Sequence, residues 1–362
     1  MTDSSENGDS VWKSRSLWTM MVGSVVVMLV AALIQLRYGA YEMTFVEAWN
    51  GLFNPNVILN PDALESFIFG GEEPDMSKNS LIIWNIRLPR VLVAGFVGMN
   101  LAISGAIFQA VTRNELASPF ILGVSSGSGF AILLIMVGFG GMTAFLPLYA
   151  ALGGALSFII LYAIAWKGGT SPVRLVLGGI IVSMVFESLQ KSLFFMAQDL
   201  GTVQSAIAWT TGSMTGVDWS QFRLIVPWSV LAVILAFVGA RQLNVLLLGE
   251  QTAKSLGMNV ERSRFALASV AIIAAASSVA VAGVVSFVGL IVPHMVRNLV
   301  GSNYKPLILG CLFVGPALVI AADTGARLAL SPIQLPVGVV TGLIGGPYFL
   351  YLMRRKKKLG DI

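Results

Sequence analysis

The chain of 362 residues has one cysteine and one histidine, and only 11% of it is charged. A single Cys excludes an internal disulfide, and a single His excludes a His-rich metal cage. Soluble domains average about a quarter charged residues. With 56% hydrophobic residues and a mean hydropathy of +0.81, this is instead an integral membrane protein. No G-x-x-x-x-G-K-S/T motif occurs, so no P-loop cradles nucleotide phosphates here. Any ATP that drives the chain is hydrolysed on another polypeptide. A nucleophile elbow, a carboxylate cluster and a His/Cys set are also missing, so no catalytic residue and no metal ligand is assigned. The net charge of +5 does not point to nucleic acid, because the bases cluster where apolar runs end, as membrane anchors do.

Apolar runs long enough to span, about twenty residues each, fall at 17–36, 88–110, 118–139, 142–166, 173–197, 222–243, 263–283, 284–300, 305–322 and 333–353. The first follows Lys13 and Arg15 but lacks an A-x-A cleavage site, so it is read as a retained helix rather than a signal peptide. The run from 263 to 300 is too long for one crossing, and Gly283 is its expected break. The fold class is therefore all-α, a polytopic bundle of ten transmembrane helices over 17–353. Residues 1–16 form a polar N-terminal tail, disordered over 1–12, and 354–362 form a basic tail. Residues 37–86 form the longest non-spanning segment, with seven acids against Arg37 and Lys78.

Sixteen of the 23 Lys and Arg, among them Lys13, Arg113, Lys254, Arg297 and the run Arg354–Lys358, fall on one side if both termini are cytoplasmic. The positive-inside rule then makes 37–86 extracytoplasmic and the polar stretch 244–262 a cytoplasmic loop. Pairs such as Gly95 and Gly98, or Gly153 and Gly154, let helix backbones approach closely and predict a tight bundle.

Within 244–262, Glu250 and Lys254 stand four apart and pair if helical; Ala253 and Leu256 share another face, and Gly257 ends the turn. Two readings stand side by side: a capped surface helix, or a helix that receives force from a soluble partner. Arg87 and Arg90, around Pro89, open the second span from outside, and Arg327 lies four after Asp323 in the ninth. These arginines either snorkel at the interface or meet a partner. Glu187 and Lys191, four apart in the fifth span, pair and face protein or water, as a structural pair or along a pathway. His294 reads as a structural donor and Cys311 as a small buried hydrophobe.

Four segments in order, Arg87–Gly129, Gly249–Gly257, Gly283–Arg297 (GVVSFVGLIVPHMVR) and Leu335–Leu352 (LPVGVVTGLIGGPYFLYL), closely resemble the FecCD-type permease subunits of bacterial ABC importers for iron–siderophore complexes and vitamin B12. The resemblance runs from about residue 80 to 355, and the acidic 37–86 segment is longer than is usual in that family. It implies a type II ABC importer permease in the bacterial cytoplasmic membrane. Such a subunit pairs with a second permease, identical or homologous, and with two cytoplasmic ATPases that carry ATP and Mg. A substrate-binding protein docks outside, and no cofactor or nucleic acid binds this chain. The resemblance also makes Gly249, Glu250, Ala253, Leu256 and Gly257 the ATPase-coupling segment. Arg87, Arg90 and Arg327 become docking residues for acidic groups on the binding protein, and the fifth helix, with Glu187 and Lys191, and the tenth become pathway elements. Ferric siderophore is the expected substrate, with haem or cobalamin as alternatives. An ion-coupled secondary transporter working through Glu187, Lys191 and Asp323 is the reading from another class.

Overall fold

A computed structural model of the chain describes residues 3–39, 41–71, 75–139, 145–166, 171–196, 200–330 and 333–357. Glu72, Glu73, Lys167 and Lys358 lie outside the described residues. Helix α1, Asp3–Arg37, runs well ahead of the expected span, so its first turns replace the disordered tail expected over 1–12. Four short helices follow: α2 (Phe45–Leu52), α3 (Pro55–Ile58), α4 (Pro61–Phe69) and α5 (Lys78–Leu81). A π-helical stretch, Ile82–Arg87, joins α5 to α6, Leu88–Val111. The segment 37–86 is therefore not one loop, because its last residues extend the second span outward.

The remaining elements are α7 (Val124–Gly138), α8 (Leu146–Ala165), α9 (Pro172–Phe194), α10 (Leu200–Thr211) and α11 (Trp219–Val238). They continue with α12 (Ala240–Leu247), α13 (Glu250–Ser255), α14 (Val260–Ala282), α15 (Val288–Val300), α16 (Tyr304–Leu328) and α17 (Val337–Lys357). Seven helices among the described residues are long and apolar enough to cross a bilayer, and α7, α15 and α17 carry shorter apolar stretches. Each expected span thus has its helix. α10 was not expected: its polar Thr202, Gln204 and Ser205 break up the apolar run that would have announced it.

Helix α6 forms the centre of the bundle, packed on α16, α14, α15 and α11. Backbone contact explains how these helices come so close. A methyl group on Gly98 would collide with the Gly315 carbonyl, and one on Gly105 with the Gly289 carbonyl. Seven residues apart, Gly98 and Gly105 lie on one side of α6 and admit α16 and α15 without intervening side chains. Asn100, fully buried between them, donates to Ser229 Oγ at 2.7 Å and Ser277 Oγ at 3.1 Å, which ties α6 to α11 and α14. Helix α1, by contrast, keeps most of its apolar surface outward, as a lipid-facing helix does.

Gly283 breaks the long run as expected. It caps α14 at φ 67, and residues 283–287 are non-helical up to Phe287, also left-handed at φ 67. Helix α15 has 13 residues, about 20 Å at 1.5 Å per residue, short of a bilayer core of about 30 Å. It therefore does not cross the core by itself. Non-helical backbone inside the bilayer needs protein partners, and α10 with the residues just after it lies alongside: Val284 N–H donates to the Trp209 carbonyl at 2.8 Å, and Ser213 N–H to the Ala282 carbonyl at 2.8 Å.

Helices α2 to α5 form a small cap with its own core of Leu36, Met43, Val57, Phe67, Ile83 and Trp84. The cap is fastened to the start of α11, where Phe67 stacks on Trp84 and Trp219 at 5.4 and 5.3 Å. Trp219 Nε1 donates to the Trp84 carbonyl at 2.7 Å, and Arg223 to the Phe67 carbonyl at 2.8 Å.

Candidate functional site at the two ends of the bundle

At one end of the bundle, Gly249 at φ 104 turns the chain out of α12 and into α13, and Gly257 at φ 79 turns it back. Left-handed backbone is cheap only for glycine, so these two residues set the bounds of the six-residue helix. Its carboxyl end is closed by Gly257 N–H to the Lys254 carbonyl at 2.9 Å and Met258 N–H to the Ala253 carbonyl at 3.0 Å. The expected Glu250–Lys254 pair forms at 2.8 Å. The expectation that Ala253 and Leu256 share a face is corrected. Ala253 is fully buried while Leu256 is 63% exposed, because the helix ends at Ser255 and Leu256 is the capping residue that leads into the turn at Gly257.

Sequence reasoning counted Arg264 only as one more cytoplasmic base. Its side chain is 1% exposed and meets Glu250 at 3.3 Å and Glu261 at 3.5 Å. Glu261 also accepts from Tyr162 Oη at 2.7 Å, which brings in α8. Only the i,i+3 spacing of Glu261 and Arg264 hinted at this in sequence. The Glu250 carboxyl is held below its ordinary value of 4.5, mainly by the hydrogen bond from Lys254, with the charge of Arg264 helping against desolvation. Nearby, Glu115 lies 3.8 Å from His294 Nδ1 and 3.6 Å from Arg297. Cys311 is fully buried, also as expected.

The opposite end gathers Arg87, Arg90 and Arg327. Sequence reasoning expected all three at the outer surface, and the structure corrects this for two of them: Arg87 is 2% exposed and Arg90 6%. Arg90 forms a bidentate pair with Asp323, both arms at 2.8 Å, and donates to Gln334 at 2.7 Å. Gln35 donates to the same carboxylate at 2.9 Å, so α1, α6 and α16 meet on Asp323. Arg87 donates to the carbonyls of Leu36 and Tyr41. Arg327, half-buried, donates to the Gln35 carbonyl at 3.4 Å. The chain after α1 thus lies against Arg87 and Arg327, and a methyl group at Gly39 would collide with the Arg327 guanidinium. The physical reason is α1 itself: its unpaired terminal carbonyls are acceptors that no local pattern places beside α6.

Between the ends, Glu187 and Lys191 line a cavity of about 300 Å³ with Phe120, Ser126, Gln190 and Val284. The expected pairing is corrected, for the ion pairs among the described residues do not include Glu187 with Lys191. Glu187 is half-buried and Lys191 is exposed. Gln190 on the same helix donates to the Ser126 carbonyl at 2.7 Å and fixes the wall of the cavity against α7. Val284, on the opposite wall, belongs to the non-helical backbone that follows α14.

This arrangement has a broad following among known proteins. Residues 27–355 match the model of the FecCD transport family. The chain is 38% identical over 287 residues to the iron(3+)-hydroxamate import system permease protein FhuG of Bacillus subtilis, covering 77% of this chain and 85% of that protein. It is 34% identical over 354 residues to the Fe(3+)-citrate import system permease protein YfmD of the same organism, covering 96% and 98%. Among solved structures, a metal-chelate-type ABC transporter in an inward-facing conformation superposes with a TM-score of 0.76 at 28% identity, covering 93% of this chain and 99% of that one. The chain belongs to the FecCD transport family, as a permease subunit of an ATP-binding-cassette importer.

Proposed function

We propose that this subunit forms part of the translocation path for a ferric siderophore or a related iron chelate, handed over at the Arg90 end and driven by ATPases at the Glu250 end. The observation that carries the reading is the Gly249–Gly257 segment. A short helix bounded by two left-handed glycines presents Leu256 outward while Glu250 holds it to buried Arg264. An exposed apolar side chain on an ion-anchored stub suits insertion into a cleft of a soluble partner. The Glu250 end then faces the cytoplasm with both termini, and ATP and Mg bind the partner ATPases.

At the Arg90 end a substrate-binding protein docks through acidic groups. Arg327 makes the contact there, since a guanidinium fork suits carboxylates, while Arg87 and Arg90 shape the rim from beneath. A second permease, identical or homologous, completes the path beside the Glu187 cavity. Iron chelate is favoured because the relatives named above import ferric hydroxamate and ferric citrate.

Uptake of radiolabelled ferric hydroxamate, ferric citrate, haem and cobalamin, measured in cells lacking this chain and in cells given it back, tests the substrate. Restoration of cobalamin or haem uptake alone would remove the siderophore assignment. A Leu256→Cys variant tests the coupling segment: oxidative cross-linking to an ATPase subunit is expected, and its absence would refute the segment's role.

A further inference from the structure

Two features of α13 are at odds with its simplest description as a lever. Glycines in left-handed conformations flank it, so the backbone on either side is a swivel rather than a rod. Its own packing on the bundle is mainly on α12 and α14, with Ala253 as the buried anchor. A push on Leu256 would rotate such a stub unless something stiffer joined it to the spans.

Arg264 is that stiffer connection. Side chains on a helix point back towards its N-terminus, so Arg264, one turn into α14, reaches towards α13 and meets Glu250 at 3.3 Å. With its other nitrogen it meets Glu261 at 3.5 Å, and Glu261 accepts from Tyr162 on α8 at 2.7 Å. The guanidinium is 1% exposed, while its partners Glu250 and Glu261 are 34% and 25% exposed, so the buried arginine is held in place between two carboxylates that reach it from the surface. Helix α8 packs on α7 and α9, and α9 carries Glu187 and Gln190 into the cavity. An unbroken series of contacts therefore runs from the exposed stub to the wall of the path.

Resting on the coupling-segment reading above, we propose that Arg264 is the positioning residue of energy coupling: it transmits displacement of α13 to α14 and, through Glu261 and Tyr162, to α8. Spatial continuity alone does not prove coupling, so the test reads coupling itself. The complete transporter, with its ATPases and binding protein, is reconstituted in vesicles, and chelate imported per ATP hydrolysed is measured.

Arg264→Gln is expected to lower that ratio at least tenfold, and Tyr162→Phe about threefold. The double variant is expected to be no worse than Arg264→Gln alone, because both changes cut one path. Arg264→Lys keeps the charge but loses the fork and should resemble Arg264→Gln. Should Arg264→Gln fail to reach the membrane, Arg264→Lys and Tyr162→Phe decide the matter. An unchanged ratio in inserted Arg264 variants, or independent multiplicative losses in the double variant, would overturn the proposal. The Leu256→Cys cross-link separates the two levels. A cross-link that forms while the ratio stays unchanged in the Arg264 variants sinks the relay alone, and no cross-link with Arg264 intact sinks the coupling segment as well.

Discussion

Asp323 accepts both arms of Arg90 at 2.8 Å while fully buried, and through Gln35 the same carboxylate holds α1. Removing one partner of such a pair strands a charge in a low-dielectric interior, at a cost of about 3–5 kcal/mol. Arg90→Ala or Asp323→Asn should therefore lower the thermal unfolding midpoint in detergent by several degrees, and the double change to a matched apolar pair should recover part of it. Equal midpoints for the single variants and the parent would show that the pair contributes nothing. A carboxylate so engaged is also poorly placed to shuttle ions, so uptake should survive collapse of the proton gradient while ATP remains.

Close helix approach at Gly105 yields a sharper contrast. A methyl group there would strike the Gly289 carbonyl, whereas one at Gly342 would meet nothing within 4 Å. Overpacking a tight interface costs about 1–3 kcal/mol. Gly105→Ala should reduce the yield of folded protein and its melting temperature, and Gly342→Ala should do neither. Size-exclusion profiles and thermal scans of the two variants decide it.

Acid should loosen the Glu250 end from a defined direction. The Glu250 carboxyl is held below 4.5, first by the Lys254 hydrogen bond. A depressed folded value means that its contribution is fully present above the unfolded value and is lost as pH falls through the folded one. Hydrogen exchange over 249–264 should be unchanged from neutrality down to about pH 5 once corrected for intrinsic rates, and should accelerate only below 4.5. Loosening that begins at pH 6 would show that Glu250 is not the group responsible.

The cap depends on Trp219. Its Nε1 donates to the Trp84 carbonyl at 2.7 Å, and its ring stacks on Phe67. Trp219→Phe keeps an aromatic ring and loses the donor, at about 0.5–1.5 kcal/mol. Limited proteolysis should cut within 45–70 faster in that variant, while the spans stay protected. Identical digestion would place the fastening elsewhere, on Arg223 or the α2–α5 packing.

Hydropathy and one glycine inside an over-long apolar run were enough to specify an all-helical membrane bundle, its spans and the break at Gly283. A bilayer demands runs of apolar residues with internally satisfied backbones, and both demands are written locally. The Glu250–Lys254 pair was equally legible, since partners one turn apart need no tertiary knowledge. What long-range packing decided was the fate of the charges. Arg90 and Asp323 are 233 residues apart in sequence, and only the seating of α16 on α6 makes them a pair rather than two surface groups. Glu187 and Lys191 had the right spacing to pair and do not; both line one cavity shared with α10 and the chain after α14. Arg264 looked like any cytoplasmic base until the turn at Gly257 folded α13 back against α14. Periodicity says which residues share a helix face; which face meets which neighbour is a property of the assembled bundle.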